Sequence, residues 1–183
     1  MKGIDGTHSS TRGRCLFVVV ALVLYLSSAR AAVGATGPCA ERPETRQLDY
    51  WLGHWATAGA DGAAANISSV SMSLEKCLFI ERWQNSKGHE SEKMFAYDAE
   101  AKNWTGMFAD NEGRVHIFVD GKVSSGTAEF HGPSRGPNGE EVLNRLRVAR
   151  VAADKIEETW EKSTDNGQTW SRVYRAEYSR ATP

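Results

Sequence analysis

The stretch "LDYWLGHW", Leu48–Trp55, decides the fold. Leu48, Trp51, Leu52 and Trp55 recur at helical spacing, which predicts one short helix. Gly53 breaks that spacing, and "HWATAG" then leads as a first strand into the turn residues Gly59, Asp61 and Gly62. Bulky aromatic side chains at a helix-to-strand junction suit a lid over one end of a strand assembly.

Working outward, the rest of the chain reads as short strands punctuated by turns. "NISSVSMSL" alternates Ile67, Ser69, Ser71 and Ser73 against Ser68, Val70, Met72 and Leu74, the period of a half-buried strand. "CLFIERWQ" and "EKMFAYD" flank a hairpin turn at Asn85–Gly88. "RVHIFVD" puts Val115, Ile117 and Val119 on one face and His116 toward solvent, with a turn expected at Asp120–Gly121. "EVLNRLRVARV" sets Leu146 and Val148 against Arg145 and Arg147. Strands at intervals of about 8–12 residues predict an all-β antiparallel assembly of about 8–10 strands. Hairpin turns join sequence neighbours, so an up-and-down meander is expected, and closure into a barrel removes its exposed edges. With an even strand count the last strand returns beside the first. Arg180 or Arg175 is therefore expected to stack on Trp55 and close the barrel base.

The N-terminus has a different character. Residues 1–14 are polar with Lys2, Arg12 and Arg14, and "CLFVVVALVLYLSS" follows, then Ala29-Arg30-Ala31. A charged start, an apolar run of roughly 13 residues and a small-residue site predict a secretory signal peptide over residues 1–35, cleaved after Ala31 or Ala35. The run is short for a membrane span, which needs about 20 residues, so no stable membrane insertion is expected after cleavage. Residues 36–47, with Pro38 and Pro43, read as a flexible arm, and residues 48–180 as the barrel domain. Removing residues 1–35 leaves 18 basic and 22 acidic residues, a net charge of −4. That balance offers no footprint for nucleic acid. Cys15 leaves with the signal. Cys39 and Cys77 remain, and an exported chain can oxidise them; their spacing alone leaves a bridge and two free thiols equally open.

Four landmarks in order carry a resemblance. Gly53-x-Trp55 looks like the G-x-W signature of lipocalins and other calycins. More closely, the chain resembles an uncharacterised bacterial calycin-like family that opens with F-D-F-W-x-G-x-W, here Leu48–Trp55. That family also has a Glu-x-Trp element, here Glu81-Arg82-Trp83, and an Asn-Arg pair, here Asn144-Arg145. It ends in S-x-D-x-G-x-T-W, here Ser163–Trp170. Leu48, Tyr50 and Asn166 depart from the pattern. The resemblance implies a calycin fold and a periplasmic or secreted location, and it carries no catalytic residue. "STDNGQTW" also matches the Asp box of sialidase-type propellers, but one copy cannot build a propeller of at least four blades. Asp165 and Gly167 are expected to shape a hairpin turn, with Trp170 packed beneath it.

Strand alternation nominates an interior. Phe79, Glu81 and Trp83 share one face, as do Ile156, Glu158 and Trp160, and Trp170, Arg172, Tyr174, Ala176 and Tyr178. Aromatic rings with Glu81, Glu158 or Arg172 suit a small apolar or amphipathic ligand. Equally, the charges could pair inside a filled barrel, or a register error could reverse the faces. Three functions follow from these readings: a binding barrel, an enzyme using Glu81 or Glu158 with Arg172, and a filled barrel acting through its surface. His54, His89, His116 and His131 lack metal-ligand spacing. A single haem ligand, His131 or His54, is the remaining route to a cofactor, and none is assigned.

Overall fold

The computed structural model describes residues 39–58 and 64–182; the expected signal peptide, residues 1–35, lies outside them. Ten strands follow in chain order: β1 (Gly53–Ala58), β2 (Ala64–Ser73), β3 (Leu78–Asn85), β4 (Glu90–Asp98) and β5 (Asn103–Asp110), then β6 (Val115–Ser124), β7 (Thr127–Arg135), β8 (Glu141–Ala152), β9 (Lys155–Ser163) and β10 (Ser171–Arg180). Each pairs antiparallel with its sequence neighbour, and β1 pairs with β10, so the meander closes into a barrel. The alternation that predicted strands also sorts their faces. β8 buries Val142, Asn144, Leu146 and Val148 while Arg147 is exposed.

One end of the barrel is plugged by the opening octapeptide. Asp49–Trp51 forms the short helix, a 3-10 turn, just before β1. Leu48, Trp51 and Trp55 are completely buried. Trp51 meets Phe79 at 5.3 Å and Phe95 at 6.0 Å between ring centroids, and Phe95 stacks on Phe130 at 4.2 Å. Phe118 joins this group from β6, 6.1 Å from Phe95. Fully burying one such ring stabilises the fold by roughly 1.5–3 kcal/mol, so this column supplies much of the core.

The base is sealed by the expected stack, made by Arg180. Its guanidinium lies 4.0 Å from the Trp55 ring centroid, and its Nη1 donates to the carbonyl of Leu52. Trp55 and Arg180 are cross-strand partners in the β1–β10 ladder. Trp55 Nε1 in turn donates to the Trp51 carbonyl at 2.7 Å. Gly53 fits this position because its φ is +114°, a conformation L side chains rarely adopt, and a Cβ there would push Arg180 Nη1 out of its place. Arg175 instead pairs with Glu157 on the outer face.

The ladder that closes the barrel is also its shortest. Between β1 and β10 only Trp55–Arg180 and Ala56–Ser179 are in register among the described residues, whereas β10 follows β9 from Ser171 to Ser179. From Cys39 onward the segment read as a flexible arm forms two 3-10 turns, Cys39–Glu41 and Glu44–Arg46, with Thr45 buried. Cys39 is disulfide-bonded to Cys77, with a Cα–Cα distance of 4.9 Å. The bridge fastens the arm to the connection between β2 and β3.

Two strands depart from the sequence reading. On β6 the faces are reversed: Val115, Ile117 and Val119 are 56%, 47% and 53% exposed, and His116 and Phe118 turn inward. β-Branched residues favour strand geometry on either face, so their alternation marks a strand without saying which side is buried. Asp120–Gly121 is not a turn either. The register with β5 shifts there, β6 runs on to Ser124, and the chain reverses at Ser125 and Gly126, both with positive φ. Gly121 lies so close to Trp104 and Phe130 that a Cβ would collide with both. On β10 a bulge between Arg172 and Tyr174 inserts Val173. It flips the start of the strand, so Trp170 and Arg172 do not share the inner face of Tyr174 and Tyr178.

Candidate functional site

Above the aromatic plug the interior changes chemistry. Lys93, on the inner face of β4, is 4% exposed and lies between Glu81 of β3 and Glu158 of β9, themselves 1% and 2% exposed. Its Nζ donates to Glu81 Oε2 and to Glu158 Oε1, each at 2.7 Å. Ser68 Oγ donates to the other Glu81 oxygen at 2.5 Å, so Glu81 is held on both sides. Glu158 Oε2 is buried and has no partner. Buried charges must be paired, and two carboxylates on one ammonium leave one negative charge in excess. Burial pushes the Glu158 carboxyl up, Glu81 adds to the rise, and Lys93 only partly opposes it, bringing the group to about 7. Burial by itself would lower Lys93, but the two carboxylates outweigh it and hold the ammonium above its usual range.

A chain of aromatic donors stands beside this triad. Trp83 Nε1 donates to Tyr178 Oη at 2.8 Å, and Tyr178 Oη and Tyr174 Oη share a 2.5 Å hydrogen bond. Burial, followed by the charge of Glu158, pushes Tyr174 up to about 12 and raises Tyr178 as well. Both tyrosines therefore stay neutral donors at physiological pH.

Between the triad and the mouth lies a cavity of about 270 Å³. Trp83 and Tyr174 line one side, edge to face at 6.4 Å. Trp160, Phe108 and His116 line the other, with Trp160 5.0 Å from Phe108 and 4.9 Å from His116. Trp160 is fixed by its own N–H, which donates to Asn144 Oδ1 at 3.1 Å. Burial, then the nearby Lys162 charge, lowers His116 and favours its neutral ring, and its Nδ1 is buried without a partner. Lys162 and Arg114 reach the cavity from the rim.

Arg114 is already engaged. It meets Asp110 at 2.6 Å and Glu112 at 2.9 Å, and its Nη2 lies 3.0 Å from His89 Nε2. His89, Asp110 and Glu112 are close enough together to suggest a cation site, but a guanidinium fills that role. Burial alone would raise Asp110, yet hydrogen bonds from Arg114 and His89 bring it down to about 2.

Of the residues nominated from sequence, Glu81, Trp83, Glu158, Trp160 and Tyr174 converge on this upper interior. Glu81 is shut behind Ser68 and Lys93, so the two carboxylates do not face a common space. Arg172 is exposed and opposite Glu161 on the outer face. Trp170 lies outside too, with Arg145 4.1 Å over its ring and His131 6.0 Å away. It closes the hairpin turn, donating to the Gly167 carbonyl at 3.1 Å while Asp165 accepts from the Thr169 amide at 2.8 Å. Gly167 has φ +85°. His131 bonds Glu129 and also lies on the outer face.

Lys93 and His116 were missed. The signal for Lys93 was its phase: it shares a strand face with Phe95, which the structure buries. His116 has the same relation to Phe118.

A larger groove, about 550 Å³, lies on the outer surface against β2–β5. It is lined by outer-face residues such as Ile67, Met94 and Glu92, with Glu92 paired to Arg82. It has none of the buried, unpaired polar groups that mark the interior cavity.

Compared with known proteins, the chain matches no protein family and no curated sequence. The closed ten-strand meander is consistent with a calycin or lipocalin-like fold.

Proposed function

We propose that this protein is an exported calycin-like barrel that binds a small amphipathic molecule in the mouth cavity without transforming it. The observation that carries the reading is the cavity itself: about 270 Å³ of space, walled by aromatic rings and lined at its inner end by Glu158. Pockets of this kind gain affinity from apolar walls and orientation from a few polar groups. A filled barrel would offer no such space. The enzymatic alternative loses Arg172 to the outer face and Glu81 to its enclosure, so that of the three residues it called on Glu158 remains at the cavity. Export is supported by the N-terminal pattern and by the Cys39–Cys77 bridge, which an oxidising compartment preserves. Membership in the uncharacterised bacterial calycin-like family rests on the four sequence landmarks together with the barrel architecture.

Native mass spectrometry of the exported protein tests the binding reading. The expected result is one retained small molecule per chain, lost on unfolding and absent from Trp160→Ala. A chain that is always bare, and whose tryptophan emission no amphipathic probe changes, would overturn it. The intact mass also tests export, by reporting cleavage after Ala31 or Ala35 and the two-proton loss of the disulfide.

A further inference from the structure

The polar groups of the cavity are ordered by depth, and that order specifies a ligand. Glu158, Trp160 and Lys162 alternate along β9 and all three reach the cavity. At ~3.3 Å per residue the two charged positions are separated by roughly 13 Å along the strand. The deep position ends in Glu158 Oε2, buried and unpaired. The outer one is Lys162, half-buried and without an acidic partner among the described residues. Aromatic rings and the His116 imidazole stand between them, and the Lys93 ammonium lies beside Glu158.

Tyr174 adds a direction. Tyr178 Oη accepts from Trp83 Nε1, and the only other partner of its hydroxyl among the described residues is Tyr174 Oη. Tyr178 is fully buried, so its proton is satisfied only by donation to Tyr174. The Tyr174 proton is then left for the cavity that Tyr174 lines. A group in the deep cavity thus meets Glu158, an acceptor when its carboxylate is ionised, and a donor, the Tyr174 hydroxyl. A hydroxyl can answer both at once. At ~30 Å³ per water the cavity holds the equivalent of about nine waters, a space for a single ring and short substituents.

We propose that the cavity is a site for a single-ring aromatic carboxylate bearing a hydroxyl at the far end of the ring. It binds with the hydroxyl down between Glu158 and Tyr174, the ring between Trp83 and Trp160, and the carboxylate at the rim on Lys162. This rests on the binding reading above and adds the chemical class.

Tryptophan-fluorescence and calorimetric titrations with four probes test it: 4-hydroxyphenylacetate, its methyl ester, phenylacetate and 4-methylphenol. 4-Hydroxyphenylacetate is expected to bind at least about tenfold more tightly than the ester or phenylacetate, the scale of one charge-assisted hydrogen bond. Lys162→Met is expected to erase the difference between acid and ester. Tyr174→Phe is expected to shrink the advantage of the hydroxyl while leaving the preference for the acid. Equal binding of acid and ester overturns the proposal, as does a preference for 4-methylphenol over the acid; in both cases the binding reading survives. If none of the four binds but native mass spectrometry finds another retained molecule, only the class is wrong. If no molecule binds at all, both readings fall.

Discussion

The two halves of this barrel are made from the same strands and do opposite things with their interior. In the closed half, Trp51, Phe79, Phe95, Phe118 and Phe130 fill the space ring against ring. In the open half the strands carry Lys93, Glu158, His116 and Tyr174 inward and leave a cavity between them. Filling one half with apolar rings stabilises the fold enough for the other half to keep charges in low dielectric, an arrangement that is costly unless well paired. Function is therefore expected where packing is incomplete.

The largest effect should come from emptying the closed half. Phe95→Ala is expected to cost about 3–5 kcal/mol in urea unfolding, whereas Lys162→Met at the rim should leave the midpoint almost unchanged. Equal losses at the two sites would erase the contrast. Next, reducing or replacing the Cys39–Cys77 bridge, whose cysteines are 38 residues apart, should cost about 2–4 kcal/mol. The cavity should keep its ligand affinity in whatever fraction remains folded, because the bridge fastens the opposite end.

The third effect is a pH dependence belonging to the open half alone. Glu158 is held near 7 in the folded protein against an ordinary value of 4.5. Between those values the native state keeps a proton that the unfolded chain releases, so stability is greatest below about 4.5 and falls as pH rises through 7. At ~1.4 kcal/mol per unit the loss is on the order of 3 kcal/mol. Glu158→Gln should flatten that slope in urea midpoints measured from pH 4.5 to 8; an unchanged slope would place its source elsewhere. Smallest is the base seal, where Arg180→Ala should cost roughly 1 kcal/mol and red-shift Trp55 emission as water reaches the ring.

The same contrast separates what the sequence made legible. The plug was readable because its cues are local: Leu48, Trp51 and Trp55 are close in sequence, and Gly53 precedes the tryptophan that Arg180 must cover. The hairpin at Ser163–Trp170 was readable for the same reason. The open half depends on partners far apart in the chain. Nothing near Lys93 announces Glu158, 65 residues on, and alternation defines two faces without naming the inner one. On β6 the exposed β-branched residues resembled a core face, which hid His116. On β10 one extra residue, Val173, turned Arg172 outward, and no feature of "TWSRVYR" marks that bulge.

The short ladder between β1 and β10 gives the cylinder an uneven grip. Its two registered pairs and the Arg180 stack all lie at the plugged base. Farther up, Tyr174 and Tyr178 are on a stretch of β10 that, among the described residues, is paired with β9 alone. The seam of the cylinder is thus buttoned like a cuff at its base, by two backbone rungs and one cation on a ring.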